Sequence, residues 1–106
     1  MTNYNLIFSP EFVKDLNDTF EYISLTLSNE QAAKKLMKDI DSAIMNLKTM
    51  PEMYPLAREP LDILGYRKII IKNYIIIYSV DKKKENVDLL RCFYGKQNYL
   101  RFFEQT

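Results

Sequence analysis

The stretch YRKIIIKNYIIIYSV, residues 66–80, decides how this chain folds. Two runs of branched and aromatic residues flank Lys72-Asn73, and asparagine tolerates the left-handed backbone that a tight turn needs. The stretch reads as a β-hairpin. Ile75 to Ile77 form a continuous apolar run, the pattern of a central strand covered on both faces. Tyr74 and Tyr78 alternate with Ile76 and Val80, which assigns both tyrosines to the core or to the space between layers. Downstream, residues 81–86 (DKKKEN) make a polar turn and Val87 to Tyr94 (VDLLRCFY) a third strand. Beyond Gly95, the aromatic tail KQNYLRFFEQT is expected to dock as a short helical or extended segment.

Upstream, residues 51–65 (PEMYPLAREPLDILG) hold three prolines and a closing glycine, and so predict an extended connector. Before it, Met50-Pro51 must end a helix, because proline disfavours helical geometry in the residue ahead of it. That helix begins at an Asn29 N-cap. Ala32, Ala33, Leu36, Met37, Ile40, Ala43, Ile44 and Leu47 repeat along one face, with Lys34, Lys35, Lys38, Asp39 and Asp41 opposite. An earlier helix opens at Ser9-Pro10-Glu11, with serine as cap, proline in the first turn and an early acid. Its stripe is Phe12, Val13, Leu16, Phe20, Ile23 and Leu27, and it should end near Leu27-Ser28. So short a connection between two helices implies an antiparallel hairpin. Residues 3–8 (NYNLIF) read as a first strand. The order is β-α-α-β-β-β: an α+β fold, one domain over residues 1–106, with a helical hairpin on one side of a mostly antiparallel sheet.

Composition narrows the chemistry. The 106 residues include no histidine, no tryptophan, one cysteine and two glycines. Imidazole bases, Ser-His-Asp and Cys-His pairs and His-ligated metals are excluded. Cys92 alone cannot form an internal disulfide or a Cys-rich zinc site, which suits a reducing cytosol, and it reads as a buried small hydrophobe. Gly65 and Gly95 are too far apart to build a glycine-rich phosphate cradle. The chain shows no secretory pattern at its start and no apolar run near the roughly 20 residues that span a bilayer, so a cytoplasmic location is expected.

The formal net charge of +1 conceals a division at Gly65. Residues 1–65 contain six Lys/Arg and ten Asp/Glu, a balance of −4; residues 66–106 contain nine and four, a balance of +5. The second half could present an electropositive surface to an anionic partner, or the acidic helices could neutralise a basic sheet.

The ordered segments FSPEFVKDL, GYRKIIIKNYIIIYSVD and VDLLRCFYGKQNYLRFF resemble the RelE/ParE superfamily of type II toxin–antitoxin toxins over essentially the whole chain. The resemblance implies a toxin that acts in plasmid stabilisation or growth inhibition, without metal or cofactor and away from membranes, and is neutralised by a cognate antitoxin protein. It also implies one of two targets: DNA gyrase for ParE-like members, ribosome-bound mRNA for RelE-like ones. In the latter, the ribose 2′-OH attacks its own phosphate while cations offset the developing charge, so no histidine is required. The positions where messenger-cleaving members carry arginines hold Ile75 and Gln97 here. What matches is Lys68 and Lys72, expected on one strand face, with Lys96 and Tyr99 as further catalytic candidates if the chain is a nuclease. Arg67, Arg91, Tyr94 and Arg101 are the candidate binding residues. The Gly-Tyr-Arg-Lys opening and Tyr-Gly-x-x-x-Tyr ending look closer to ParE. A degenerate toxin that only binds antitoxin is the third alternative.

Each candidate has a second, structural reading. Arg67 either contacts an anionic target or pairs with an acid on the helices. Arg91, among Leu89, Leu90, Cys92 and Phe93, has a stem that should be partly buried and needs an internal partner. Tyr94 and Tyr99 either stack on a base or pack, as most of the eight tyrosines must.

Overall fold

The computed structural model describes residues 3–95. Strand β1 (Asn5–Phe8) leads into helix α1 (Pro10–Glu21), then α2 (Glu30–Met45) and three strands, β2 (Arg67–Ile71), β3 (Tyr74–Asp81) and β4 (Asn86–Tyr94). They form one four-stranded sheet in the order β1-β4-β3-β2. β2, β3 and β4 are antiparallel neighbours, while β1 lies parallel to β4. The α+β arrangement and the mostly antiparallel sheet agree with the sequence reading.

Local chemistry accounts for the helix starts. The Ser9 hydroxyl accepts from the Phe12 amide at 3.0 Å, and the Asn29 side chain accepts from the Ala32 amide at 3.1 Å. α1 does not run unbroken to Leu27. Residues Tyr22–Thr26 continue it as a π-turn, and Ser28, at φ 51°, turns the chain toward α2. Of the predicted α1 stripe, Phe12 and Ile23 are buried, whereas Val13 and Leu27 are exposed. α2 buries Ala33, Leu36, Ile40 and Ile44 as its spacing requires, followed by Leu47 in a short 3₁₀ turn.

The hairpin's two-residue turn is Lys72-Asn73, and Ile71 pairs with Tyr74 across it. The left-handed residue is Lys72 (φ 53°), not the expected asparagine. β3 is the buried centre. Ile76 and Tyr78 face the helices, packed with Phe12, Leu36, Ile40, Ile69 and Leu89. Ile75 and Ile77 face the other way, packed with Phe93, Ala57 and Leu61. The connector is therefore a structural layer. It crosses to the sheet's second face and supplies the residues that cover it, which makes the core two-sided as the apolar run of β3 demands. The Tyr78 hydroxyl, fully enclosed, donates to the Pro51 carbonyl at 2.8 Å and ties the start of the connector to the central strand.

Candidate functional site

Arg67 opens β2 and is spoken for. It donates to the Tyr54 carbonyl at 2.6 Å and lies 3.3 Å from a Glu52 carboxylate oxygen. Its acidic partner sits on the connector, not on a helix. The other Glu52 oxygen is 3.1 Å from Lys82 in the β3–β4 turn. The hydrogen bond from Lys82, with Arg67 adding its charge, holds the Glu52 carboxyl below its ordinary range.

Arg91 has the internal partner its position called for. Its guanidinium makes two bonds to the Asp15 carboxylate of α1, at 2.8 and 3.1 Å, and lies 4.9 Å from the centre of the Phe93 ring. Asp15 also accepts the Cys92 amide at 2.9 Å. The bond to Asp15 raises the Arg91 pKa further. Burial pushes the Cys92 thiol up to about 12, as befits a small apolar residue in the core.

Lys68 and Lys72 do not share a strand face. Lys68 lies opposite Ile77, on the face that the connector covers. Lys72 has left the strand, and its turn conformation breaks the alternation that a four-residue spacing assumes. It lines a cleft of about 640 Å³ on the helix side, formed where the Tyr22–Thr26 turn and the start of α2 meet the hairpin turn. Tyr94, 60% exposed, is another wall of that cleft, edge-on to Tyr74 with ring centres 5.2 Å apart. Tyr22 and Leu27 complete the apolar lining. Sequence reasoning assigned no site role to Tyr22; the signal was an aromatic just off the α1 stripe, at a helix end.

Ile75, where the resemblance places an arginine, is buried against the connector's Ala57 and Leu61. Lys96, Gln97, Tyr99 and Arg101, and the docking expected of the tail, lie outside the described residues. Among the described residues, no group of three His, Cys, Asp or Glu side chains could hold a metal, and no helix is long and apolar enough to cross a membrane. The described cations thus divide between the two sheet faces and the ion pairs of the scaffold. They form no convergent phosphate clamp.

A helical hairpin over one face of a four-stranded mixed sheet is the fold shared with solved RelE and ParE toxin structures. Residues 6–99 match the family described as "ParE toxin of type II toxin-antitoxin system, parDE", and the chain belongs to that family. Solved structures share its fold. A chromosomal ParDE toxin–antitoxin system from P. aeruginosa aligns with TM-score 0.67 and 16% identity, over 88% of this chain and 97% of that one. An E. coli RelE toxin mutant in the free state gives 0.64 and 16%, over 97% and 93%. The RelBE2 toxin–antitoxin complex from Mycobacterium tuberculosis gives 0.61 and 20%, over 92% and 97%. No curated protein matches the sequence.

Proposed function

We propose that this toxin is a ParE-like growth inhibitor that binds DNA gyrase, performs no catalysis of its own, and is held inactive in the cytoplasm by a cognate antitoxin. The observation that carries this reading is Ile75. A nuclease of this superfamily places a guanidinium there, and the connector has instead closed over an apolar side chain. Arg67 and Arg91 add support, because each is engaged by a carboxylate of the scaffold. Arg91 is held bidentate by Asp15, and Arg67 spends its donors on the Tyr54 carbonyl and one Glu52 oxygen, so each has fewer left for a phosphate. The antitoxin partner is supported by the toxin–antitoxin complexes among the structural relatives.

The test is induction of the toxin alone, followed by pulse-labelling of DNA and protein. A DNA-damage response with intact messages, together with inhibition of supercoiling by purified gyrase, is the expected outcome. Prompt arrest of translation with codon-phased cuts in mRNA would overturn it in favour of a ribosome-dependent nuclease. In that case Lys68→Ala with Lys72→Ala should relieve toxicity without unfolding the domain. Normal growth with verified soluble toxin would leave an antitoxin-binding protein without a target.

A further inference from the structure

The cleft where the Tyr22–Thr26 turn meets the β2–β3 hairpin has an unmet hydrogen-bonding group in its wall. Tyr74 lines it and is only 8% exposed. Among the described residues its hydroxyl has no hydrogen-bond partner, whereas the hydroxyl of Tyr78, the other buried tyrosine, donates to Pro51. No fully enclosed side-chain oxygen or nitrogen goes unbonded among the described residues. The Tyr74 oxygen therefore keeps part of the little exposure the residue has, and the cleft is where it opens. A phenol so placed is unfavourable until an acceptor meets it. Burial, and after it the neighbouring Tyr94, Cys92 and Tyr22, hold its pKa above the ordinary 10.0, so it stays a neutral donor at physiological pH.

A cation stands in the same wall. The positive φ of Lys72 takes it off the strand and into the cleft lining, where it makes no hydrogen bond or ion pair among the described residues. Asp18, the one carboxylate in the described lining, is engaged by Lys14 at 2.8 Å. The remaining wall is largely apolar, with Leu27, Leu36 and the rings of Tyr22 and Tyr94, both more than half exposed. A volume of about 640 Å³ falls in the range of roughly 300–1,000 Å³ usual for sites that take small organic ligands. These groups select a ligand class. A buried donor beside an unpaired cation calls for an oxyanion, and the exposed aromatic walls call for a flat apolar body. A cationic ligand would be repelled by Lys72, and a purely apolar one would leave the Tyr74 hydroxyl unmet. A phosphate ester would bring a second negative charge against a single free cation and the nearby Asp18. We propose that this cleft binds a small aromatic monocarboxylate, its carboxylate accepting from the Tyr74 hydroxyl and facing Lys72, its ring against Tyr22 and Tyr94. This inference stands apart from the toxin's target and does not depend on it.

The probe is 2-naphthoate, titrated into the full chain at neutral pH and followed by NMR. Binding should shift the Tyr22, Leu27, Tyr74 and Tyr94 signals together and give contacts from the naphthyl ring to Tyr22 and Tyr94. Tyr74→Phe should weaken binding about tenfold. It should leave the urea midpoint of the free protein unchanged, because the hydroxyl it removes holds nothing in the fold. Lys72→Arg keeps the charge and should bind as the parent does, whereas Lys72→Glu should not bind. Equal affinity for the 2-naphthylmethylammonium ion would show apolar partitioning without carboxylate recognition and overturn the proposal. So would parental affinity in Tyr74→Phe, or a lowered urea midpoint in that variant. Cleft signals that stay fixed on adding naphthoate would overturn it too, whether the cleft is filled by another part of the chain, by a second copy, or by nothing.

Discussion

Asp15 holds Arg91 while standing in for a missing strand. β1 ends at Phe8, so β4 loses its parallel neighbour after Leu89. The start of α1 takes over the exposed edge: the Ser9 amide donates to the Leu89 carbonyl at 3.1 Å, and the Ser9 hydroxyl to the Leu90 carbonyl at 2.9 Å. Asp15, one and a half turns further on, accepts the Cys92 amide and both nitrogens of the Arg91 fork. A register shift between β3 and β4 makes this possible. Tyr78 pairs with Leu89 and Ile77 with Arg91, so Leu90 is the extra residue of a bulge.

Replacing Asp15 by alanine should therefore cost more than replacing Arg91. Asp15→Ala strands both a partly enclosed guanidinium and a strand amide, for an expected loss of about 3 kcal/mol. Arg91→Ala leaves the Cys92 amide satisfied and should cost about half as much. Urea unfolding of both single variants and the double variant checks the order and gives the coupling between them.

Burial of the Cys92 thiol makes stability fall in alkali. A thiol ionises near 9.0 when exposed but only near 12 here, so above pH 9 the unfolded chain sheds the proton first. The contribution is whole below pH 9 and is lost progressively between 9 and 12, at up to about 1.4 kcal/mol for each pH unit. The Tyr78 hydroxyl, raised by burial from 10.0 to about 12, adds to the decline from pH 10 upward. Denaturation midpoints of Cys92→Ala should fall less steeply between pH 8.5 and pH 10 than those of the parent. The native thiol should also resist disulfide reagents that label the urea-unfolded chain at once.

The two-sided core makes a further prediction. Ile76 and Ile77 are both fully enclosed, one beneath the helices and one beneath the connector. Truncating either to alanine should cost about 3 kcal/mol. Ile70→Ala, on the same sheet but exposed, should change stability by less than about 0.5 kcal/mol. Thermal unfolding of the three variants suffices. A mild Ile77→Ala would mean that the connector does not pack as described.

Arg67→Lys should weaken the fold and leave intrinsic inhibition untouched. Lysine keeps the charge but cannot reach the Tyr54 carbonyl and Glu52 together in the same fork. The expected loss is about 1 kcal/mol. Growth inhibition per mole of folded toxin should equal that of the parent, measured below the unfolding transition.

What the sequence disclosed, it disclosed through local signals. The Ser9 and Asn29 caps, the α2 stripe and the run Ile75–Ile77 each carry their structure in a few adjacent residues. The connector's role was hidden because Pro51, Pro55 and Pro60 erase any periodicity, so nothing marked Ala57 and Leu61 as core. The parallel neighbour of β1 was hidden too, since no local pattern encodes a pairing across 81 residues. Among the site candidates, Arg91's need for an internal acid was legible from its apolar neighbours. The separation of Lys68 from Lys72 was not, because it depends on which of two turn residues adopts the positive φ.

That pairing of β1 with β4 also dictates an order of events in synthesis. Until residues 86–89 have left the ribosome, residues 5–8 have no strand to lie against, and Asp15 has no amide or guanidinium to hold. The helical hairpin and the β2–β3 hairpin can form early from nearby residues, but the sheet that joins them closes last. Among the described elements, the strand made first waits for the strand made last. The growing chain therefore carries its first strand and its helical hairpin with no sheet to join them until β4 is delivered.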